Sequence, residues 1–191
     1  HVNSLKICIQ CSFTGYLIFC IFASNSKTKI VVMTNKRWLA VYVKMHHEKK
    51  VRDKLTEIGI ENFLPVQTEI KQWSDRKKKV ERVLIPMMIF VHVDKDEQIT
   101  VIRQPSVLRY LVLRGEHAPT EIPENQMDKF IFMLDFSEQP VNFSTNELRP
   151  GEKVKVIKGP LSGLEGELVN LEGKSNIAIR ITQLGCAVVE I

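Results

Sequence analysis

Few side chains in this 191-residue sequence have the types and spacing that catalysis or metal binding requires. Cys8 and Cys11 have the spacing of a zinc-binding pair, but no second pair or histidine cluster follows to complete a ligand set. His46 and His47 precede Glu48 without further ligands at suitable spacing. No nucleophile is paired with a base, and no glycine loop ends in the Gly-Lys-Ser/Thr of a phosphate-binding site. We therefore expect no metal, no cofactor and no enzymatic activity.

Lysines near the first predicted strand and helix are the clearest candidates for binding an anion. Lys44 ends the strand, and Lys50 and Lys54 share one helix face because they lie four residues apart. This face could approach nucleic-acid phosphates, or it could be a solvated face balanced by neighbouring carboxylates. The formal net charge is +5, but residues 33–191 alone carry about +2. Charge alone therefore does not identify a nucleic-acid binder.

The composition indicates a globular chain that can form one ordinary domain or two small ones. A hydrophobic content of 44% with 26% charged residues argues against disorder. Three of the four cysteines lie in residues 1–32, which is too uneven for a disulfide scaffold, so we expect a reduced, cytoplasmic protein. The apolar stretch from Ile7 to Ala23 is marginal for a membrane span. We expect residues 1–32 to be an unstructured leader or sequence upstream of a start at Met33, and we expect no membrane association.

The patterns after this leader predict an α+β domain over residues 33–136. A β-branched and aromatic run over 38–44 predicts a buried strand. Val51, Leu55 and Ile58 have helical spacing and predict a helix that ends at Gly59. Further strands are predicted over 66–73, 80–84, 87–93 and 107–113, and further helices over 97–103 and 123–134. We therefore expect an antiparallel sheet flanked by helices.

The C-terminal part of the chain, residues 151–191, predicts a small all-β barrel. Residues 153–157 and 177–181 alternate between apolar and polar types, as half-buried strands do. Several short strands in so short a segment are typical of a small barrel. Gly151 begins this segment, Gly159 with Pro160 would end its first strand, and Gly163 and Gly166 would allow the tight turn into the next strand. The preceding residues 137–150 contain two prolines and little periodicity, which predicts a linker.

Residues 151–169 resemble the KOW motif, and residues 36–191 as a whole resemble a NusG-type transcription factor with an NGN domain, a linker and an SH3-like KOW domain. The order and spacing of several short motifs carry this resemblance. These motifs are Trp38 with Tyr42, Glu48-Lys49-Lys50, Phe63-Leu64-Pro65, Ile85-Pro86-Met87-Met88-Ile89-Phe90-Val91, Val107-Leu108-Arg109-Tyr110-Leu111 and Ala118-Pro119.

The chain departs from the general members of this family at Met87-Met88, where they usually have a glycine or similar small residue followed by tyrosine. That departure and the strand end Tyr42-Val43-Lys44 are closer to specialised paralogues, namely RfaH and the UpxY-type antiterminators of capsular polysaccharide operons. The resemblance thus implies a non-enzymatic antitermination factor that promotes read-through of long operons. An RNA- or ribosome-binding KOW protein is the alternative.

The resemblance also implies partners. It places Tyr42, Ile85, Pro86, Met88 and Phe90 against the β′ clamp helices of RNA polymerase, although Ile85 and Phe90 could instead fill the domain core. It places Lys44, Lys50 and Lys54 near the non-template DNA strand. Ribosomal protein S10 or Rho would bind the KOW domain. We expect the protein to be a monomer.

RfaH-like proteins can hold the KOW domain as a helical hairpin against the NGN domain. Here the β-branched residues at 153–157 and 177–181 are poor helix formers, and Gly159-Pro160 would interrupt a helix. We therefore predict a β-barrel at all times, flexibly tethered through residues 137–150, with the polymerase-binding face left open.

Overall fold

The computed structural model describes residues 8–11, 17–20, 31–32, 35–72, 77–145, 148, 151–171, 173–182 and 184–191. The chain divides into two compact units, His1–Lys36 and Arg37–Ile191. In the first unit, β1 (Cys8–Cys11), β2 (Leu17–Cys20) and β3 (Val31–Val32) form an antiparallel sheet in that order. In the described part of the chain, no helix has the length and apolar character needed to cross a membrane.

An antiparallel sheet with a mostly buried central strand, β4, opens the second unit. Its strands are β4 (Arg37–Val43), β5 (Glu61–Phe63), β8 (Met88–Val93), β9 (Val107–Tyr110) and β10 (Glu121–Ile122). Their order is β10-β4-β8-β5, and β9 also pairs with β4. Because apolar layers cover both faces of β4, its sequence is a nearly continuous run of apolar residues rather than an alternation.

Two helices cover one face of this first sheet. Val51 and Leu55 of α1 (Glu48–Glu57) and Val101 of α2 (Lys95–Ile102) pack against alternate residues of β4 and β8. A capping box starts α2, because Asp94 accepts a hydrogen bond from the Glu97 amide at 2.9 Å while the Glu97 carboxylate accepts one from the Asp94 amide.

The third helix, α3 (Glu124–Phe136), covers the opposite face and buries Met127, Phe130 and Met133. The Phe130 ring lies edge-on to Phe90 of the first sheet, with ring centroids 6.1 Å apart. In sequence, β6 (Val66–Gln72) and β7 (Lys77–Val83) come between β5 and β8, and they form a separate antiparallel hairpin. The sheets are antiparallel, and the helices pack on the faces of the first sheet. This confirms the α+β prediction.

The C-terminal region is a five-stranded antiparallel sheet. Its strands are β11 (Asn142–Ser144), β12 (Glu152–Lys155), β13 (Glu165–Leu171), β14 (Lys174–Ile181) and β15 (Gly185–Glu190), in the order β11-β15-β14-β13-β12. The segments for which a helical hairpin was the competing possibility are strands. The all-β prediction for this region is therefore confirmed.

In the described part of the segment expected to be a flexible tether, residues 137–145, the structure shows strand pairing and side-chain contacts instead. Within that segment, β11 pairs with β15, and Phe143 reaches Phe130 with ring centroids 6.4 Å apart. The Gln67 side chain donates to the Gln139 carbonyl at 3.1 Å and accepts from the Val141 amide at 3.0 Å. These contacts hold residues 139–143 in place, because Val141 is buried and Phe143 is partly buried in a core that continues through α3 into the C-terminal sheet.

Candidate functional site

The residues expected to bind a partner meet where β4 ends. Tyr42 pairs with Met88 of β8 on one side and with Arg109 of β9 on the other, just before a bulge at Val43. Tyr42 is half-buried, and Pro86 is exposed in the turn that leads into β8. We call the surface formed by Tyr42, Pro86, Met87 and Arg109 the binding face.

Backbone strain is concentrated at this end of the sheet. Among the residues that the structure describes, three non-glycine residues have a left-handed backbone, with φ of 61° at His46, 61° at Met87 and 76° at Ser106. The Met87 carbonyl accepts from the Val43 amide and the Ser106 carbonyl accepts from the Lys44 amide, each at 2.9 Å. The strained turns are thus hydrogen-bonded to consecutive residues at the end of β4.

A buried carboxylate holds the turn at Met87. Glu48, only 5% exposed at the start of α1, accepts a hydrogen bond from the Met87 amide at 2.9 Å. A left-handed backbone is favourable for glycine, which explains why a glycine would suit this position. With methionine there instead, the Glu48 bond helps to offset the strain, and the Met87 side chain is 37% exposed.

Three of the five residues expected to contact polymerase are buried. Ile85 is 7%, Met88 5% and Phe90 0% exposed. Phe90 packs against Phe63 and Phe130, with ring centroids 6.4 Å and 6.1 Å away, so it fills the core as the competing interpretation proposed. Direct contact of these three residues with a partner stays a prediction, and in this arrangement only Tyr42 and Pro86 of the five are accessible.

The three lysines expected to approach DNA are all exposed but differ in their partners. The Lys54 ammonium lies 2.9 Å from the Glu57 carboxylate, which offsets its charge. Among the described side chains, none forms an ion pair with Lys44 or Lys50. Two of the three therefore keep their full charge available for an anionic ligand. No group of three or more His, Cys, Asp or Glu side chains in the described part could hold a metal ion.

The glycines of the KOW-like segment are required for two different reasons. A Cβ on Gly151 would overlap the Leu168 carbonyl oxygen, and a Cβ on Gly166 would lie 2.7 Å from Ile177 Cγ1. Gly159 and Gly163 have open space around them but a φ of +97° and +94°. Gly151 and Gly166 are needed because neighbouring strands approach them closely. Gly159 and Gly163 are needed because the turn between the strands requires a positive φ.

Carboxylates neutralise several cations of the C-terminal sheet. Arg180 donates to the Glu167 carboxylate at 3.0 Å and to the Leu148 carbonyl at 2.9 Å. The Arg180 hydrogen bond holds the pKa of Glu167 below its ordinary value, against the opposing effect of burial. Lys155 lies 3.3 Å from Glu165 and Lys174 lies 2.8 Å from Glu190. This sheet therefore presents little uncompensated positive charge at these positions.

Arg109 lies in one of the motifs that carry the resemblance, but it was not expected to be a site residue. Its guanidinium carbon lies 5.0 Å from the centroid of the Tyr42 ring, within the range of a cation–π contact. Arg109 and Tyr42 are far apart in sequence, and only the register between β4 and β9 brings them together. The signal that could have identified Arg109 is its place in a predicted strand whose neighbour carries Tyr42.

One family model matches about half of this chain. The family model described as "Transcription termination factor nusG" matches residues 36–131, which include the whole first sheet and the binding face. The chain is also similar to a solved structure titled "Domain interaction in Thermotoga maritima NusG", at 19% identity and a TM-score of 0.43. That match covers 82% of this chain and 93% of the other. No curated protein matches the chain.

Proposed function

We propose that this chain, which belongs to the NusG family of transcription factors, binds RNA polymerase through the first sheet and promotes elongation through pauses and terminators. Proteins of this family bind RNA polymerase, and the family is not one of enzymes. The observation that carries the proposal is the match over residues 36–131, because it covers every strand that builds the binding face.

The binding face suits a partner made of apolar helices, and we assign it to the β′ clamp helices of the polymerase. Tyr42 offers a large amphipathic ring, and Met87 offers an adaptable side chain beside Pro86. Ile85, Met88 and Phe90 lie beneath this surface and hold it in shape. Tyr42 and Pro86 therefore make the direct contacts, and the three buried residues act through them.

We further assign the chain to the specialised members of the family that act on long operons, such as those for capsular or surface polysaccharides. The support is Met87-Met88 in place of the usual small residue and tyrosine. Met87 keeps the left-handed backbone that favours glycine, with a φ of 61°, and so adds a side chain to the binding face without changing the turn. A changed contact surface is what a factor with restricted targets requires.

The two available lysines at the end of β4 and on α1 would contact the non-template DNA strand. Replacing Lys44 or Lys50 by alanine should weaken binding of a single-stranded oligonucleotide and reduce the slope of log affinity against log salt by about 0.7 for each lost phosphate contact. Lys54→Ala serves as the matched control, because the Glu57 carboxylate 2.9 Å away already offsets this charge. Fluorescence anisotropy of a labelled oligonucleotide over a salt series measures both quantities.

Equal effects of all three lysine substitutions, or no effect of Lys44→Ala and Lys50→Ala, would contradict the assignment of this surface to DNA. Thermal unfolding of each variant checks that the fold is intact. Because all three side chains are exposed, the unfolding midpoints should be close to that of the wild type.

The C-terminal sheet is assigned to a protein partner, with ribosomal protein S10 and Rho as the candidates that the family suggests. Unaided RNA binding is the weaker alternative, since Lys155, Lys174 and Arg180 are paired with carboxylates and phosphate neutralisation needs free cations.

The function itself is tested by transcription with purified polymerase on a template that contains a pause site and a terminator. The wild-type protein should raise the fraction of full-length transcripts, and Tyr42→Ala should lose most of this effect. Ile99→Ala is the matched control, because Ile99 is 51% exposed on α2, away from the binding face. Unchanged read-through with the wild-type protein would refute the proposed function.

A further inference from the structure

We propose that Arg109 is a specificity-determining residue of the binding face, and that the polymerase surface docking there is apolar with a carboxylate placed opposite this guanidinium. This inference rests on the proposed function and deepens it, because it specifies the chemistry of the partner surface.

The geometry places Arg109 and Tyr42 in one unit. They are cross-strand partners on β9 and β4, so their side chains project from the same face of the sheet. The guanidinium carbon lies 5.0 Å from the ring centroid. Stacking on the ring restricts the rotation of a long, flexible side chain, so the planar donor group is held in place before any partner arrives.

Arg109 has donors to spare. It is exposed, and no described carboxylate forms an ion pair with it. A guanidinium carries five N–H donors in its plane. The Tyr42 ring lies against the face of this plane and accepts no hydrogen bond from these donors. The arginine therefore contributes an uncompensated positive charge and a fork of donors at the edge of an otherwise apolar surface formed by Tyr42, Pro86 and Met87.

Docking of an entirely apolar surface would be unfavourable at this point. Covering the guanidinium would remove its water without replacing the lost hydrogen bonds, and burial of an unpaired charge is strongly destabilising. A carboxylate opposite Arg109 resolves the conflict, because carboxylate and guanidinium form two parallel, charge-assisted hydrogen bonds. A nucleic-acid phosphate would fit the same fork, but the apolar neighbours on the binding face favour a protein surface.

The test measures the binding of core RNA polymerase to the full chain and three substitutions of Arg109 by biolayer interferometry over a salt series. Arg109→Gln should lower the affinity about tenfold or more, because the carboxylate on polymerase loses its partner. Arg109→Lys keeps the charge but not the planar fork, so it should restore only part of the affinity. Arg109→Glu should lower the affinity furthest, since two carboxylates would then face each other. Arg114→Gln, an exposed arginine in the loop after β9, is the matched control and should bind as the wild type does.

The outcomes separate this inference from the function on which it rests. If the wild type binds polymerase and Arg109→Gln binds within about twofold of it, the inference is wrong and the proposed function stands. If Arg109→Gln instead loses affinity for a single-stranded oligonucleotide with polymerase binding unchanged, the fork serves a phosphate and the inference is also wrong. If the wild type does not bind polymerase, the proposed function fails and this inference fails with it.

Discussion

Replacing Phe130 by alanine is expected to lower the free energy of unfolding by about 3–5 kcal/mol, among the largest effects of any single substitution in this chain. Phe130 is fully buried and contacts aromatic rings on both of its sides. Phe63 and Phe90 of the first sheet lie 5.9 Å and 6.1 Å away, and Phe143 of the C-terminal sheet lies 6.4 Å away. The substitution would leave a cavity in the core that joins the two sheets. Urea denaturation of the full chain measures the change.

Phe136→Ala is the matched control for this prediction. Phe136 lies in the same helix and stacks on Phe132 with centroids 4.6 Å apart, but it is 53% exposed. Its removal should cost less than about 1.5 kcal/mol, the upper value for an aromatic pair. Similar losses for the two phenylalanines would contradict the assignment of Phe130 to a shared core. Separate unfolding transitions for the two sheets in the wild type would contradict it as well.

Gly151→Ala is expected to destabilise the chain by about 3 kcal/mol, because a Cβ at this position has no room. It would overlap the carbonyl oxygen of Leu168 on the paired strand β13, and backbone atoms there cannot move aside as a flexible side chain can. The Gly151 amide also donates to the Glu167 carboxylate at 3.3 Å, and Glu167 in turn holds Arg180. Displacement of β12 would therefore disturb this ion pair too. Thermal and urea unfolding measure the loss.

Gly159 provides the control, because it needs glycine for a different reason. Its φ is +97° with open space around the Cα, so Gly159→Ala should cost about 1–2 kcal/mol from backbone strain alone. Asparagine adopts a left-handed backbone more readily than alanine, so Gly159→Asn should recover part of the loss. Gly151→Asn should recover nothing, since a Cβ of any kind collides with Leu168. Recovery at Gly151 would show that steric overlap is not the cause.

The elements of this fold could be predicted from the sequence because their patterns are local. The helical spacing of Val51 and Leu55 predicted α1, and the aromatic and β-branched run around Val41 predicted the buried strand β4. A helix was expected over 97–103, whereas α2 runs over Lys95–Ile102 and Asp94 caps it. The β-branched residues at 177–181 correctly predicted β14. The strand β11 was not predicted, since Asn142–Ser144 is too short to show a period and lies near prolines. Its pairing with β15 depends on a contact between distant parts of the chain.

The candidate site was predictable in part. The resemblance identified Tyr42 and Pro86, and both are accessible on the binding face. It could not show that α3 covers Phe90, because burial of a strand residue depends on which helix packs over it. It could not reveal the stacking of Arg109 on Tyr42 either, since the register between β4 and β9 includes a bulge. From the sequence, Glu48 was placed at the helix start and among the carboxylates that could balance the neighbouring lysines. In the structure it is buried and holds the turn at Met87.

Association of the full chain with core RNA polymerase is the measurement that tests the central claim most directly. Biolayer interferometry should show specific, reversible binding of the wild type. Tyr42→Ala should lower the affinity about 30-fold, which corresponds to the roughly 2 kcal/mol of a central aromatic contact, while Ile99→Ala should bind as the wild type does. No binding by the wild type, or equal binding by Tyr42→Ala and the wild type, would contradict the assignment of this face to polymerase.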